Sequence, residues 1–158
     1  MKRVEENYRG QMVLDGLPVA EEGSGKLSRL SPSVATGFPL GVSKKSTGNG
    51  KTIINNHLAF TVQFHEHQSP GYIPSMEDDP ADSFRIVGFM VTPISLDHEQ
   101  APCDEKLRIT DDVPPTYTDA AEIQWTYSVN WQESDIEWST RWDVYMRSSK
   151  AEARIHWL

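Results

Sequence analysis

Apolar and polar residues alternate with period two along three stretches of the chain. In residues 57–65 (HLAFTVQFH), Leu58, Phe60, Val62 and Phe64 fall at every second position, with His57, Ala59, Thr61, Gln63 and His65 between them. Residues 123–131 (IQWTYSVNW) repeat this, with Ile123, Trp125, Tyr127, Val129 and Trp131 set against Gln124, Thr126, Ser128 and Asn130. Successive side chains of a strand point to opposite faces, so each stretch predicts a strand with one face on a core and the other in water. On that pattern Trp125 and Trp131 are expected to be buried. Residues 84–92 (FRIVGFMVT) are apolar on both faces apart from Arg85, which predicts a strand near the centre of a sheet. Gly88 within it predicts a bulge or a close backbone approach.

The connecting segments are rich in turn formers. Residues 37–41 (GFPLG) and 46–50 (STGNG) carry loop or hairpin signals, and 8–14 read as a short strand leading into Gly16, Leu17 and Pro18. Two longer loop excursions, 69–83 and 100–118, interrupt the pattern, and the second flanks a short candidate strand at 106–109. Residues 134–146 (SDIEWSTRWDVYM) fit both periods: Ile136, Trp138, Thr140, Trp142 and Val144 alternate, while Trp138, Trp142 and Tyr145 sit at i, i+4 and i+7. The reading adopted is an extended entry followed by a short helix near 141–147. With ten glycines, ten prolines and no internal repeat, the chain is read as all-β, an antiparallel β-sandwich-like domain rather than a βαβ fold.

Composition narrows the function classes. The 158 residues suit one domain with its own core, and 15 basic against 23 acidic residues leave a formal charge of −8. That balance argues against a nucleic-acid module or a polybasic membrane-surface protein. A single cysteine, Cys103, excludes a disulfide framework within the chain and a thiolate-rich zinc site. The first residues, MKRVEENYRGQ, hold no apolar leader, and no apolar run approaches the roughly 20 residues of a membrane helix. On composition alone this describes a soluble, cytosolic-looking protein.

Candidate chemistry is weak at each place it arises. Gly50, Lys51 and Thr52 look like the end of a phosphate-binding loop, but Lys45 stands where the pattern needs glycine and a strand-like stretch comes next, so a hairpin turn is the better account. His65 and His67 share a face of an extended chain at a chelating spacing, with His98 an unplaced third ligand; a zinc site needs at least three, and none is assigned. Glu133, Asp135, Glu137 and Asp143 lie near Trp131, Trp138 and Trp142, as acid/base pairs and sugar platforms do in glycosidases. Nothing in the chain sets two of these carboxylates across a cleft, and surface carboxylates are the simpler account. Cys103 has no base near it, and neither G-x-S-x-G nor N-x-[ST] occurs. No catalytic, cofactor-binding or metal-binding residue is assigned.

The order of the segments is more specific than any one of them. The chain reads LDGLPVA, TGFPLG, NNHLAFTVQFH, RIVGFMVTPISLDH, WTYSVNWQESDIEWSTRWDVYM and a terminal IHWL. This series resembles the lumenal region of the nonaspanins, the endomembrane protein 70 or transmembrane 9 superfamily, from about Tyr8 to Leu158. The residues that carry the resemblance are Asn56, His57, Arg85, Gly88, Phe89, Ser134, Asp135, Trp138, Arg141, Trp142, Asp143 and Tyr145.

The resemblance implies a multi-pass protein of Golgi and endosomal membranes, with a β-rich lumenal domain, nine membrane helices, no enzymatic activity and no cofactor. Its partners would be membrane-protein cargo, the N-terminal lumenal half and the transmembrane domain, with no nucleic acid. Residues 1–158 would then be a fragment, the membrane-proximal lumenal domain, and Ile155, His156, Trp157 and Leu158 the approach to the first membrane helix. Cys103 would be free to pair with a cysteine of the N-terminal half. On this reading too Trp125 and Trp131 are buried, no cleft brings two carboxylates together, and apolar surface that missing strands should cover lies open. The competing expectation is a free-standing β-sandwich that binds carbohydrate, or a small glycoside hydrolase using the Trp and carboxylate cluster.

Overall fold

A computed structural model describes residues 2–21, 35–48, 50–68, 82–99, 114–117, 119 and 122–146. A helical turn, α1 (Lys2–Glu5), precedes eight two-residue strands: β1 (Arg9–Gly10), β2 (Val13–Leu14), β3 (Leu17–Pro18), β4 (Ala20–Glu21), β5 (Ala35–Thr36), β6 (Phe38–Pro39), β7 (Gly41–Val42) and β8 (Ile53–Ile54). Three long strands come next, β9 (His57–Gln68), β10 (Asp82–Ile94) and β11 (Thr126–Glu133). The all-β expectation holds, and the three alternating stretches are the three long strands. Residues 106–109, Cys103 and 155–158 lie outside the described residues, as do 69–81 and 100–113 of the two excursions.

The main sheet runs in the order β11-β9-β10-β4-β5. It is mixed rather than wholly antiparallel: β9 and β10 pair antiparallel over their full lengths, whereas β11 runs parallel to β9 and β4 parallel to β10. The β9–β10 register slips between Ile86 and Gly88, which is the bulge expected at that glycine. A Cβ on Gly88 would come to 3.0 Å from Gln63 Cβ and run into the rest of that side chain, so a larger residue there has to displace Gln63. β7 and β8 form a hairpin enclosing Gly50–Thr52, the turn preferred over a nucleotide loop.

Short strands form a layer over one face of this sheet. β2 and β3 make a tight hairpin turning at Asp15 and Gly16, both with positive φ (48° and 77°), the Asp-Gly pairing that a two-residue type I′ turn favours. It delivers Leu17 and Val19 onto the sheet beside Phe38 of β6, where they pack with Phe60, Val62, Phe89 and Val91. Phe60 and Phe89 stack with centroids 5.4 Å apart. Burying side chains of this size contributes about 1.5–3 kcal/mol each, which makes this cluster the main source of stability.

The layer stops short of β11, and there one sequence expectation fails. Trp125 and Trp131 are 58% and 60% exposed, with Tyr127 at 71% and Val129 at 44%. These residues do sit on the apolar side: Tyr127, Val129 and Trp131 lie beside Leu58, Phe60 and Val62 of β9. Among the described residues the cover over Phe60 and Val62 does not extend one strand further, which leaves the apolar stripe of β11 exposed. The expectation of uncovered apolar surface is met by the same observation.

Candidate docking surface

β11 is held to β9 at both ends. At its start, Thr126 N–H donates to Asn56 O (3.0 Å); at its end, Ser134 N–H donates to Phe64 O (2.8 Å). The N–H and C=O of one strand residue point to the same side. These bonds therefore aim even-numbered amides at β9 and turn the backbone groups of Tyr127, Val129 and Trp131 outward. β11 ends the strand order, so among the described residues no strand receives those groups. The residues that carry the apolar stripe thus also carry an open backbone edge.

At the far end of the stripe, Trp131 joins Phe64, Phe84, Arg85 and Ile86 around an open apolar hollow of about 450 Å³. Phe64 and Phe84 meet edge to face at 5.5 Å, and Phe84 is itself exposed. Eight of the family-resemblance residues, Arg85 and seven between Ser134 and Tyr145, lie around this end of the sheet or in the segment that follows it. Ser134 O accepts from His65 Nδ1 (2.8 Å), and Ser134 Oγ accepts from Ile136 N–H (3.3 Å), which turns the chain into a single helical turn at Trp138–Thr140. The next residue, Arg141, is buried and donates from Nη1 to Asp15 Oδ2 (2.8 Å) and Ile86 O (3.0 Å). Its guanidinium lies 4.5 Å from the Trp138 ring centroid, and that of Arg85 lies 5.6 Å from it. A second helical turn at 143–146, within the span expected near 141–147, brings Tyr145 against the core. Burial pushes the Tyr145 hydroxyl pKa up, partly offset by its hydrogen bond to the Phe89 backbone. Trp142 packs on Tyr145 at 5.6 Å. Asp135 is exposed and Asp143 half-buried.

Asn56 and His57 lie at the opposite end of β9. His57 is fully buried, with Nδ1 2.8 Å from Thr126 Oγ1 and Nε2 3.2 Å from Ser128 Oγ. His98 Nε2 approaches the same Thr126 Oγ1 at 2.9 Å. Burial, and secondarily the neighbouring His98, pushes the His57 pKa down. A hydroxyl donates once and accepts elsewhere, so Thr126 Oγ1 can bridge the two rings, donating to one and accepting from the other. Beside this end opens a cavity of about 520 Å³ whose lining includes Asp97, His98, Glu99, Asp119 and Glu122. It corrects the expectation that no cleft gathers carboxylates. Its walls come from separate loops, so no periodicity announces it.

The other candidates separate. His65 is spent on Ser134 O and His98 on Thr126, at different ends of β9; the side chain of His67 lies outside the described part of the structure. Among the described residues no group of three or more His, Cys, Asp or Glu is arranged to hold a metal. Glu137 shares a cleft of about 280 Å³ with His65, Arg85 and Trp138, but none of the described cavities holds both Glu133 and Asp143.

The family model described as Endomembrane protein 70 matches residues 1–158. The chain belongs to the Endomembrane protein 70 family. It is 32% identical to Transmembrane 9 superfamily member 8 of Arabidopsis thaliana and 31% identical to Transmembrane 9 superfamily member 4 of Homo sapiens, in each case over 99% of this chain. It is 28% identical, over 98% of the chain, to a Dictyostelium discoideum protein named putative phagocytic receptor 1a. The match spans about a quarter of the length of these relatives (24%, 25% and 24%). No solved structure matches the chain. Among the described residues no helix is long and apolar enough to cross a membrane.

Proposed function

We propose that these residues form the membrane-proximal lumenal β domain of a multi-pass protein of Golgi and endosomal membranes, which takes part without catalysis in sorting and localising other membrane proteins. Family membership along the whole chain carries this reading. The arrangement of residues agrees with it: the family-resemblance side chains hold segments together rather than converging on a reactive centre. Asn56 and His57 tie down the start of β11, while Arg141, Trp138 and Tyr145 tie down the segment after its end. The partners would be membrane-protein cargo, the transmembrane domain and the N-terminal lumenal half, with no nucleic acid and no cofactor. The test is to tag the protein at its own locus, fractionate membranes and compare the cell-surface proteome with and without it. Co-fractionation with Golgi and endosomal markers, and loss of particular membrane proteins from the surface, is the expected result. A cytosolic product or unchanged surface proteins would overturn it.

The exposed tryptophans favour one second reading, a carbohydrate-binding face on Trp131 and Tyr127. Sugar hydroxyls need polar partners beside the ring, yet Ser128, Asn130 and Gln132 point to the opposite face. Glycan-array binding abolished by Trp131→Ala would establish this reading in place of the first.

A further inference from the structure

We propose that the outer edge and apolar face of β11 receive an extended, alternately apolar strand from the same polypeptide, contributed by lumenal chain outside residues 1–158. This rests on the reading of the chain as one part of a longer family protein. Tyr127 and Trp131, about 150–250 Å² each and more than half exposed, make with Val129 a patch of about 300 Å² on one face of β11. Patches of this size on single domains are commonly contact sites.

The shape of the site selects a strand. The backbone groups of Tyr127, Val129 and Trp131 point outward, and β11 carries no proline and a single charge, Glu133 at its last position, so residues 126–132 lack the devices that keep free edges from pairing. An added strand would pair with those groups. Its alternate side chains would continue the layer that Leu17, Val19 and Phe38 already build over Phe60 and Val62.

Charge and length select its source. The stripe is neutral while the chain carries −8, so neither a second acidic copy nor an anionic lipid surface is drawn to it. The relatives carry about three further lengths of chain beyond the match, which is ample for one strand. A strand of the same polypeptide is also held at high effective concentration, which suits an aromatic surface that a soluble domain does not leave bare.

The test places a photo-crosslinking residue at Val129 of the full-length gene product in its own membranes. The control carries it at Lys45, an exposed turn position. The expected result is a crosslink from position 129 to a segment of the same polypeptide outside residues 1–158, and none from position 45. With the crosslinker at position 127 instead, Val129→Pro is expected to lower the yield at least tenfold. Its missing N–H faces away from β9, so the substitution leaves the β9 pairing intact. Far-UV circular dichroism of the 158-residue chain checks that the proline variant folds. A crosslink to a second copy, to another protein, to lipid or within residues 1–158 overturns the proposal. So does an absent crosslink with Trp131 as open to oxidative labelling in the full-length protein as in the isolated chain. A gene product of 17.9 kDa that does not pellet with membranes overturns the parent reading as well. A larger membrane-bound product with an open β11 overturns the docking alone.

Discussion

Asn56 offers the sharpest test of how the sheet edge is held. It is almost wholly buried, and its side chain joins three separated segments. Nδ2 donates to Leu96 O and Gln124 O, both at 2.9 Å, and Oδ1 accepts from Leu96 N–H at 2.8 Å. Asn56→Ala removes three hydrogen bonds worth about 0.5–1.5 kcal/mol each and strands a buried Leu96 N–H, which alone costs about 1–3 kcal/mol. Allowing for the overlap between these, the loss is about 3–4 kcal/mol. At about 2–4 °C per kcal/mol for a domain of this size, the melting temperature falls by about 6–16 °C. Asn56→Asp keeps an acceptor for Leu96 N–H but sets a carboxylate against two carbonyl oxygens, so at neutral pH it is expected to be less stable than the alanine variant. Thermal and urea unfolding, followed by circular dichroism and tryptophan fluorescence, measures both. An alanine shift below about 3 °C, or an aspartate variant as stable as the wild type, would refute the view that this amide clamps β11 to the rest of the sheet.

Three other substitutions probe neighbouring features. Arg141→Met keeps the packing of the side-chain stem but gives up Asp15 and Ile86 O. Because Asp15 is half exposed, the cost is about 1–3 kcal/mol, read from the urea midpoint. Arg141→Lys is expected to restore only part of it, since an ammonium cannot reproduce the planar contact with Trp138; full restoration would argue for a simple point charge. His57 has a pKa held below its ordinary 6.5, chiefly by burial, so the unfolded chain takes up its proton first. Its contribution to stability is therefore complete above about pH 6.5 and is lost as pH falls through the lowered value. His57→Gln should flatten the fall in urea midpoint below pH 6.5, and an unchanged slope would remove His57 from the account. Gly88→Ala must displace the Gln63 side chain at the bulge and is expected to cost about 1–2 kcal/mol by the same measurement, whereas a neutral result would mean that Gln63 moves freely.

Much of the sheet was legible in the sequence because long half-buried strands leave a period-two trace. The alternations at 57–65 and 123–131 mark β9 and β11 and tell which side chains share a face, though the apolar face of β11 is open and His57, on the expected water face of β9, is buried; the unbroken apolar run at 84–92 marks the central β10 with its bulge at Gly88. The layer over the sheet left no such trace. It is built from two-residue strands, too short for any period, and its position depends on the Asp15-Gly16 turn rather than on hydrophobicity. The partners of Asn56, His57 and Arg141 were equally hidden. Thr126 lies 69 residues from His57, and Asp15 lies 126 from Arg141, so no local spacing links them.

The stripe on β11 shows where such reading stops. Period two tells which side chains share a face and is silent on whether anything lies over that face. Trp125 and Trp131 therefore look like core residues whether they sit under a layer or beside the end of one. The two cases are separated by the strand's place in the sheet together with its edge chemistry. A free edge in water is ordinarily guarded by lysine, proline or an inward-pointing charge, because unpaired amides next to apolar side chains recruit other strands. Residues 126–132 carry none of these, the one charge of β11 being Glu133 at its end, although β11 stands last in the sheet among the described residues. An unguarded edge can fold in water, but it leaves a row of unpaired amides beside apolar side chains with which a further strand would pair. The uncharged run from Thr126 to Gln132, closed only by Glu133 at the end of β11, is the feature that the proposed strand addition accounts for.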